Sequence, residues 1–549
     1  MTPPSRTPPQ ERVDDNGKNQ KASYWGLPKK GQLAVLCLAR IADPLAITSI
    51  QSYMFYQLKF FNPLASNATI STQAGILVGT RTAAQVFTGM IWGRLADSDL
   101  GGRKVVLFIG LVSCGISYIG YGLARSFAMA IFWQVFAGLM SNNVAITRCV
   151  VAELNPEKRY RTRALLLLPL CASAAQLLGP LIGGLLSLNT RDASQSKVPY
   201  LAPNLLLALI YFLAALAVIL FMEETLESLQ GTQSHWLERI SQRLKARFSK
   251  KSYSVQTADT SSNSNYTASE TTPLVTASTP TKPKRKRKLP FRRIWTFNVV
   301  CTMVSHFIIA GHLGTFSNLW AIFLTAPTGP SNPSQRSPPF KFTGGLGMLP
   351  RDVGFALSLL GAISMILQMG LYPMLQDRFG TIKIWRTALF IFPFVYLLAP
   401  YPSLVASAPE ISHKTAYIWV SMTAVLLLFT LGRTGVTPAT TLLINDCTPH
   451  PSVRGTIHAA ATVLGHLSRS IFPVMALAVF GQGLQIGVVG LGFWCLAVLA
   501  VASCVASAWV REGSNGDEIV LEESGDDEEE DVGEASGRNG SGRGDLRRG

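Results

Sequence analysis

Long apolar blocks separated by short polar tracts fill residues 33–222 and 293–510. A helix needs about 20 largely apolar residues to cross a hydrocarbon core about 30 Å thick. Backbone groups in lipid have no water to bond, so such blocks must close their hydrogen bonds internally, as helices. The pattern predicts twelve spans, at 33–57, 74–96, 104–124, 127–152, 162–188 and 201–222, then 294–325, 352–376, 383–402, 415–444, 454–480 and 485–510. The expected organisation is an all-α membrane protein with two six-helix bundles, 33–222 and 293–510. Around them lie a polar N-terminus (1–32), a basic linker (223–292) and an acidic tail (511–549), expected to be disordered because they cannot bury enough apolar surface to fold.

Composition agrees with the pattern: 48% of the 549 residues are hydrophobic and 15% charged. The formal charge of +17 raises nucleic-acid binding, but the basic residues sit in tracts between apolar blocks, not on one soluble face, so they read as topology signals. Residues 1–30 lack the apolar core of a cleavable signal peptide. The eight cysteines contain no CxxC pair and read as buried thiols, with no metal or cofactor expected.

Lys and Arg bias orients the spans. Arg94, Arg103 and Lys104 lie between spans two and three, Lys158, Arg159, Arg161 and Arg163 between four and five, and Arg378, Lys383 and Arg386 between eight and nine. Both termini are therefore expected in the cytoplasm. This places Asn67-Ala-Thr69 in the first external loop as the one plausible glycosylation acceptor, with Asn265 and Asn539 on the cytoplasmic side. The linker run from Lys282 to Lys288 reads as a headgroup contact. Glu270-Thr-Thr-Pro-Leu-Val275 loosely resembles an acidic dileucine sorting signal but reads better as an ordinary disordered linker, leaving a vacuolar or a plasma membrane open. The acidic run from Asp526 to Asp531 is a solvated tract.

Two loops in matching positions carry related sequences. Gly93-Arg-Leu-Ala-Asp-Ser-Asp-Leu-Gly-Gly-Arg-Lys104 follows span two and Asp377-Arg-Phe-Gly-Thr-Ile-Lys383 follows span eight. A turn needs glycine, and a carboxylate beside it can meet an arginine or a helix end. The loops resemble the signature of the major facilitator superfamily, and the resemblance covers nearly all the apolar chain. It implies that the loop carboxylate meets the opposite half and holds one access state through Gly93, Gly102, Arg103 and Lys104, with Asp377, Arg378 and Gly380 as counterparts. A two-residue insertion leaves open whether Asp97 or Asp99 takes the carboxylate role; solvated loop charge is the plain alternative.

Gly179-Pro-Leu-Ile-Gly-Gly184 in span five is similar to the motif of the drug/proton antiporter branch, implying a gating role for Gly179, Pro180, Gly183 and Gly184. Proline interrupts the helix ladder and glycines admit close helix approach. That branch usually has an arginine in span four where this chain has Gln134, so proton coupling does not carry over there; Arg148 and Glu153 are the candidate replacements. Arg40-Ile-Ala-Asp43-Pro44, with Asn142, Arg148, Tyr372-Pro-Met-Leu-Gln-Asp-Arg-Phe-Gly380 and Leu443-Ile-Asn445, narrows the resemblance to fungal members related to plant zinc-induced facilitators.

Arg40 and Asp43 are three apart on a helix and share a face, so each is expected to pair with the other, for structure or for coupling. His306, His312, Arg433, His466 and Arg469 add ionisable groups in the second-half spans, which as a set mark a central pathway and singly read as packing residues. No HExxH, acidic pair or Ser-His arrangement suggests an enzyme. The expected activity is secondary transport of a small solute by alternating access, proton-coupled with antiport favoured, by a monomer in the lipid bilayer. A non-transporting sensor that kept the fold is the other reading. The Asn, Gln, Tyr and His residues of the spans suggest a pathway without dominant charge.

Overall fold

The computed structural model describes residues 27–98, 101–141, 143–155, 157–187, 198–226, 291–329, 337–408, 413–450 and 453–513. Asp99, Asn142, Asn265, Asn539, the Glu270 tract, the Lys282 run and the acidic tail lie outside them.

Each expected block coincides with a helix or a run of helices. Spans one to six are Lys30–Phe61, Asn67–Ala96, Gly102–Gly122, Phe127–Met140 continued by Asn143–Leu154, Lys158–Leu186 and Leu201–Phe221. Spans seven to twelve begin with Phe297–Thr325, then Pro350–Ile366 continued through Leu367–Leu371 to Tyr372–Phe379. Span nine is the run Thr381–Leu389, Ile391–Leu398 and Pro402–Ala406; Lys414–Asp446, Arg454–Ile486 and Leu491–Ser507 complete the set. Ten of these stretches are long and apolar enough to cross a bilayer; Leu491–Ser507 is a shorter apolar helix.

Span two begins at Asn67, ahead of the expected residue 74. Ser66 accepts the Thr69 amide at 3.1 Å, and Ser71 and Thr72 donate to carbonyls one turn back, so this polar stretch is satisfied inside the helix. The sequon at Asn67 therefore occupies a first helical turn and not a loop. In span eight the ladder widens to a π-turn at Leu367–Leu371 just before Pro373, which has no amide to donate and crowds the preceding turn. Arg386 donates to the carbonyls of Ser507, Ala508 and Val510, satisfying the end of span twelve.

Within the first half, span one packs on span five and span three on span six; within the second, span seven packs on eleven and twelve, and nine on ten. The halves meet through spans two with eleven and five with eight. Glycines show where. A Cβ on Gly75 or Gly79 of span two would run into Pro473, Val474 or Ser470 of span eleven, whereas one on Gly93, at the end nearer the termini, would meet nothing within 4 Å. Gly370 and Gly455, toward that same side, are equally open. On the side away from the termini, Gln51 donates to Asn318 of span seven at 2.9 Å and Tyr56 to the Met348 carbonyl just ahead of span eight at 2.7 Å, tying span one to the other half. The halves are thus closed on one side and parted on the side that carries the termini.

Candidate functional site

Pro44 lies inside span one and supplies no amide for the carbonyl one turn earlier. Beside it, Asp43 is 5% exposed and held by three other helices. Tyr211 of span six donates to its Oδ1 at 2.6 Å, Asn143 of span four to its Oδ2 at 3.3 Å, and Arg81 of span two pairs with Oδ1 at 3.6 Å. Arg81 also donates to the Tyr118 hydroxyl and lies over the Tyr118 ring, which stacks on Tyr211. Arg40 feels the charge of Asp43, as its spacing predicts, but forms no ion pair with it. The ion-pair partner of Asp43 is Arg81, and the Nε of Arg40 is buried without a hydrogen-bond partner. Helical spacing put Arg40 on the same face, but a partner from span two was invisible to a rule about one helix. Arg81 itself carried the signal already used for other residues, a lone ionisable group in an apolar span.

A second set of charges gathers between the halves. Arg148 of span four lies within electrostatic reach of Arg40 and of Arg469 in span eleven, and Arg433 of span ten within reach of Arg469. Arg469 also reaches His306 and His466. Arg433 crosses the boundary to donate to Gln176 of span five at 2.9 Å. Arg148 and Arg469 face open space although they lie deep in the bundle. At about 1.5 Å of rise per residue the four arginines stand about 9–22 Å in from the parted ends of their spans. A charge at bilayer mid-depth costs about 2.5–3.5 kcal/mol on insertion scales, which favours placing such residues on a water-accessible opening. Among the described residues no Asp or Glu forms an ion pair with any of the four. The opening therefore has a dominant positive charge, correcting the expectation of a mixed, uncommitted lining.

Other expected pathway residues sit elsewhere. Gln134 is buried inside the first half beside Tyr121. Glu153 reaches the parted end of span four, accepting from Arg103 at 2.8 Å and from Thr225 at 2.6 Å. His312 is fully buried, bonded to the Tyr396 hydroxyl at 2.8 Å and packed edge-on against Phe392, within an aromatic core that includes Phe316 and Phe429. Asn445 stands near the end of span ten, donating to Asp446. His306 bonds the Ala461 carbonyl at 3.1 Å, joining spans seven and eleven.

The loop after span two closes on its own half. Arg103 pairs with Asp97 at 2.5 Å and Glu153 at 2.8 Å, while the Glu224 carboxylate accepts the amides of Arg103 and Lys104 at the start of span three. Among the described residues no ion pair from this loop reaches the other half, and Asp97 meets Arg103. Gly102 adopts φ 72°, which lets the chain turn into the helix. In the second half Asp377 and Arg378 are exposed, and Arg378 rests over Phe379. Gly380 turns the chain at φ 76°.

Span five passes between two neighbours. A Cβ at Gly183 would strike the backbone of Ser49 in span one, and one at Gly184 the Pro350 carbonyl of span eight. Gly179 abuts Thr48, and the Pro180 carbonyl accepts from Ser52 at 3.0 Å. All eight cysteines are free, and three of them are buried, fewer than expected.

Twelve helical stretches in two bundles, ten of them long and apolar enough to cross a bilayer, closed at one side around a charged opening, define a polytopic membrane transporter. The chain belongs to the Major Facilitator Superfamily, whose pattern matches residues 40–473. It is 28% identical over 522 residues to the Aspergillus fumigatus "Major facilitator superfamily multidrug transporter mfsB", covering 89% of this chain and 84% of that protein. It is 20% identical over 365 residues to the Arabidopsis thaliana "Protein ZINC INDUCED FACILITATOR 1", covering 65% of this chain and 66% of that one. The fold is shared with a D-xylose-proton symporter at a TM-score of 0.60 and 13% identity, covering 88% and 98% of the two chains.

Proposed function

We propose that this chain is a proton-coupled exporter that works as a single chain with both termini in the cytoplasm. It exchanges protons for a small solute by rocking its halves about the charged opening. The observation that carries the reading is Asp43, an acid buried deep in a span and held by Arg81, Tyr211 and Asn143. Protonating Asp43 removes the negative partner of Arg81 and weakens the bonds from spans two, four and six at once. Spans two and four also face the opposite half or the opening, so the proton changes the balance between access states. The parted side then corresponds to the cytoplasm, and the contacts of spans two with eleven and five with eight are those that must separate in the other state. The name of the A. fumigatus relative supports a drug-like solute. Each pH unit supplies about 1.4 kcal/mol per proton, so two units sustain roughly a hundredfold gradient in one-to-one exchange.

The test is flux in vesicles reconstituted with the full chain, screened over solutes accumulated by cells that lack it. Flux should follow an imposed pH gradient in the wild type. Asp43→Asn should abolish gradient-driven uphill movement while leaving solute exchange at equal pH on both sides. Uphill movement by Asp43→Asn at the wild-type rate would overturn the coupling role, and absence of flux for every solute would overturn the transport reading.

A further inference from the structure

We propose that the opening between the halves binds its solute through an anionic group, a carboxylate, sulfonate or phosphate, held by Arg40, Arg148, Arg433 and Arg469. The inference rests on the transport reading and names the substrate class of that site. Its basis is a contrast within the chain. Arg81 has Asp43, and Arg103 has Asp97 and Glu153. The four arginines of the opening come from four different spans, two in each half, and none forms an ion pair with an acid among the described residues; Arg40 feels Asp43, but that carboxylate is paired with Arg81. They are placed to repel: Arg148 feels both Arg40 and Arg469, and Arg433 feels Arg469. His306 and His466 border the same group and contribute no negative charge.

Their donors are also available. The Nε of Arg40 is buried without a partner, Arg433 has Gln176 alone, and Arg148 and Arg469 face the open space. A guanidinium presents five donors in a planar fork that matches the paired oxygens of carboxylate or phosphate. An anion drawn in from the parted side relieves the mutual repulsion and fills those donors. Because Arg40 and Arg148 belong to one half and Arg433 and Arg469 to the other, the same anion bridges the halves. Two sources share this chemistry, a soluble organic anion and the headgroup of an anionic lipid entering between spans.

The experiment uses the full-length chain in phosphatidylcholine vesicles with three probes of one shape, 1-naphthoate, 1-naphthamide and 1-naphthylmethylammonium. The expected result is binding of naphthoate at least tenfold tighter than either of the others, weakened by added salt. Arg148→Gln and Arg469→Gln should each lower naphthoate affinity about tenfold without changing the amide, and Arg469→Lys should recover part of the loss. A merely structural role for these arginines would shift all three probes together. Adding phosphatidylserine to the vesicles separates the sources. Unchanged naphthoate binding assigns the site to the soluble anion, and displacement that disappears in Arg469→Gln assigns it to the headgroup. Equal or weaker binding of naphthoate relative to the amide or the ammonium overturns the proposal. If gradient-driven flux of any screened solute persists, the transport reading survives that failure; only absence of flux for every solute overturns that reading as well.

Discussion

The two halves share a layout and differ in where they keep their polarity. In the first, a buried acid is closed by side chains from three other helices, and the loop after span two is clamped by Arg103, Glu153 and Glu224. In the second, the interior is aromatic around His312, Phe316, Tyr396 and Phe429, and the loop after span eight has Asp377 and Arg378 exposed. The difference teaches that internal repetition conserves helix arrangement without conserving chemistry. One half encloses its acid within a polar network, and the other surrounds its buried histidine with rings and turns its arginines toward the opening.

The comparison breaks most easily at Asp43. Arg81→Leu should cost about 3–5 kcal/mol of stability by leaving a buried carboxylate uncompensated. The double change Asp43→Asn with Arg81→Gln should recover much of that, as thermal unfolding in detergent would show; equal losses would mean that the pair is not coupled. A smaller effect is expected where the halves touch. Gly184→Val places branched carbons against Pro350 and should cost about 1–3 kcal/mol by overpacking the closed state. Labelling of a cysteine introduced at Ser52 should then become faster from the side away from the termini, and unchanged labelling would refute the role of that contact.

The loops offer a sharper contrast of modest size. Arg103→Ala should cost about 1–3 kcal/mol by stranding Asp97 and Glu153, whereas Arg378→Ala should fall within about 0.5 kcal/mol of wild type. Similar losses would remove the asymmetry. Smallest among the interior changes, His312→Phe should keep the aromatic packing and lose the Tyr396 bond, for about 1 kcal/mol, with solute selectivity unaltered. A changed selectivity would move His312 from the packed core to the pathway.

The helices were legible because lipid imposes a strong, local rule on composition. Span two was legible only from residue 74, since Ser71 and Thr72 hide their polarity in bonds to their own helix. Asp43 was legible as an acid in an apolar span, but its partners Arg81, Asn143 and Tyr211 were not, because convergence of separate helices leaves no spacing in the sequence. The same limit hid the positive opening: Arg40, Arg148, Arg433 and Arg469 each look isolated until the halves are assembled. Glu153 was visible as charged, yet its neighbours Arg103 and Thr225 assign it to the loop clamp.

The break in span four leaves a separate helix of 12 residues, Asn143–Leu154. Its first residue grips the carboxylate of span one, its middle presents Arg148 to the opening, and its last turn anchors the loop clamp through Glu153. A rod about 18 Å long cannot shift at one of these stations without moving the other two. Acid, arginine and loop are joined by one stiff lever, so a glycine placed midway along it would slacken all three together.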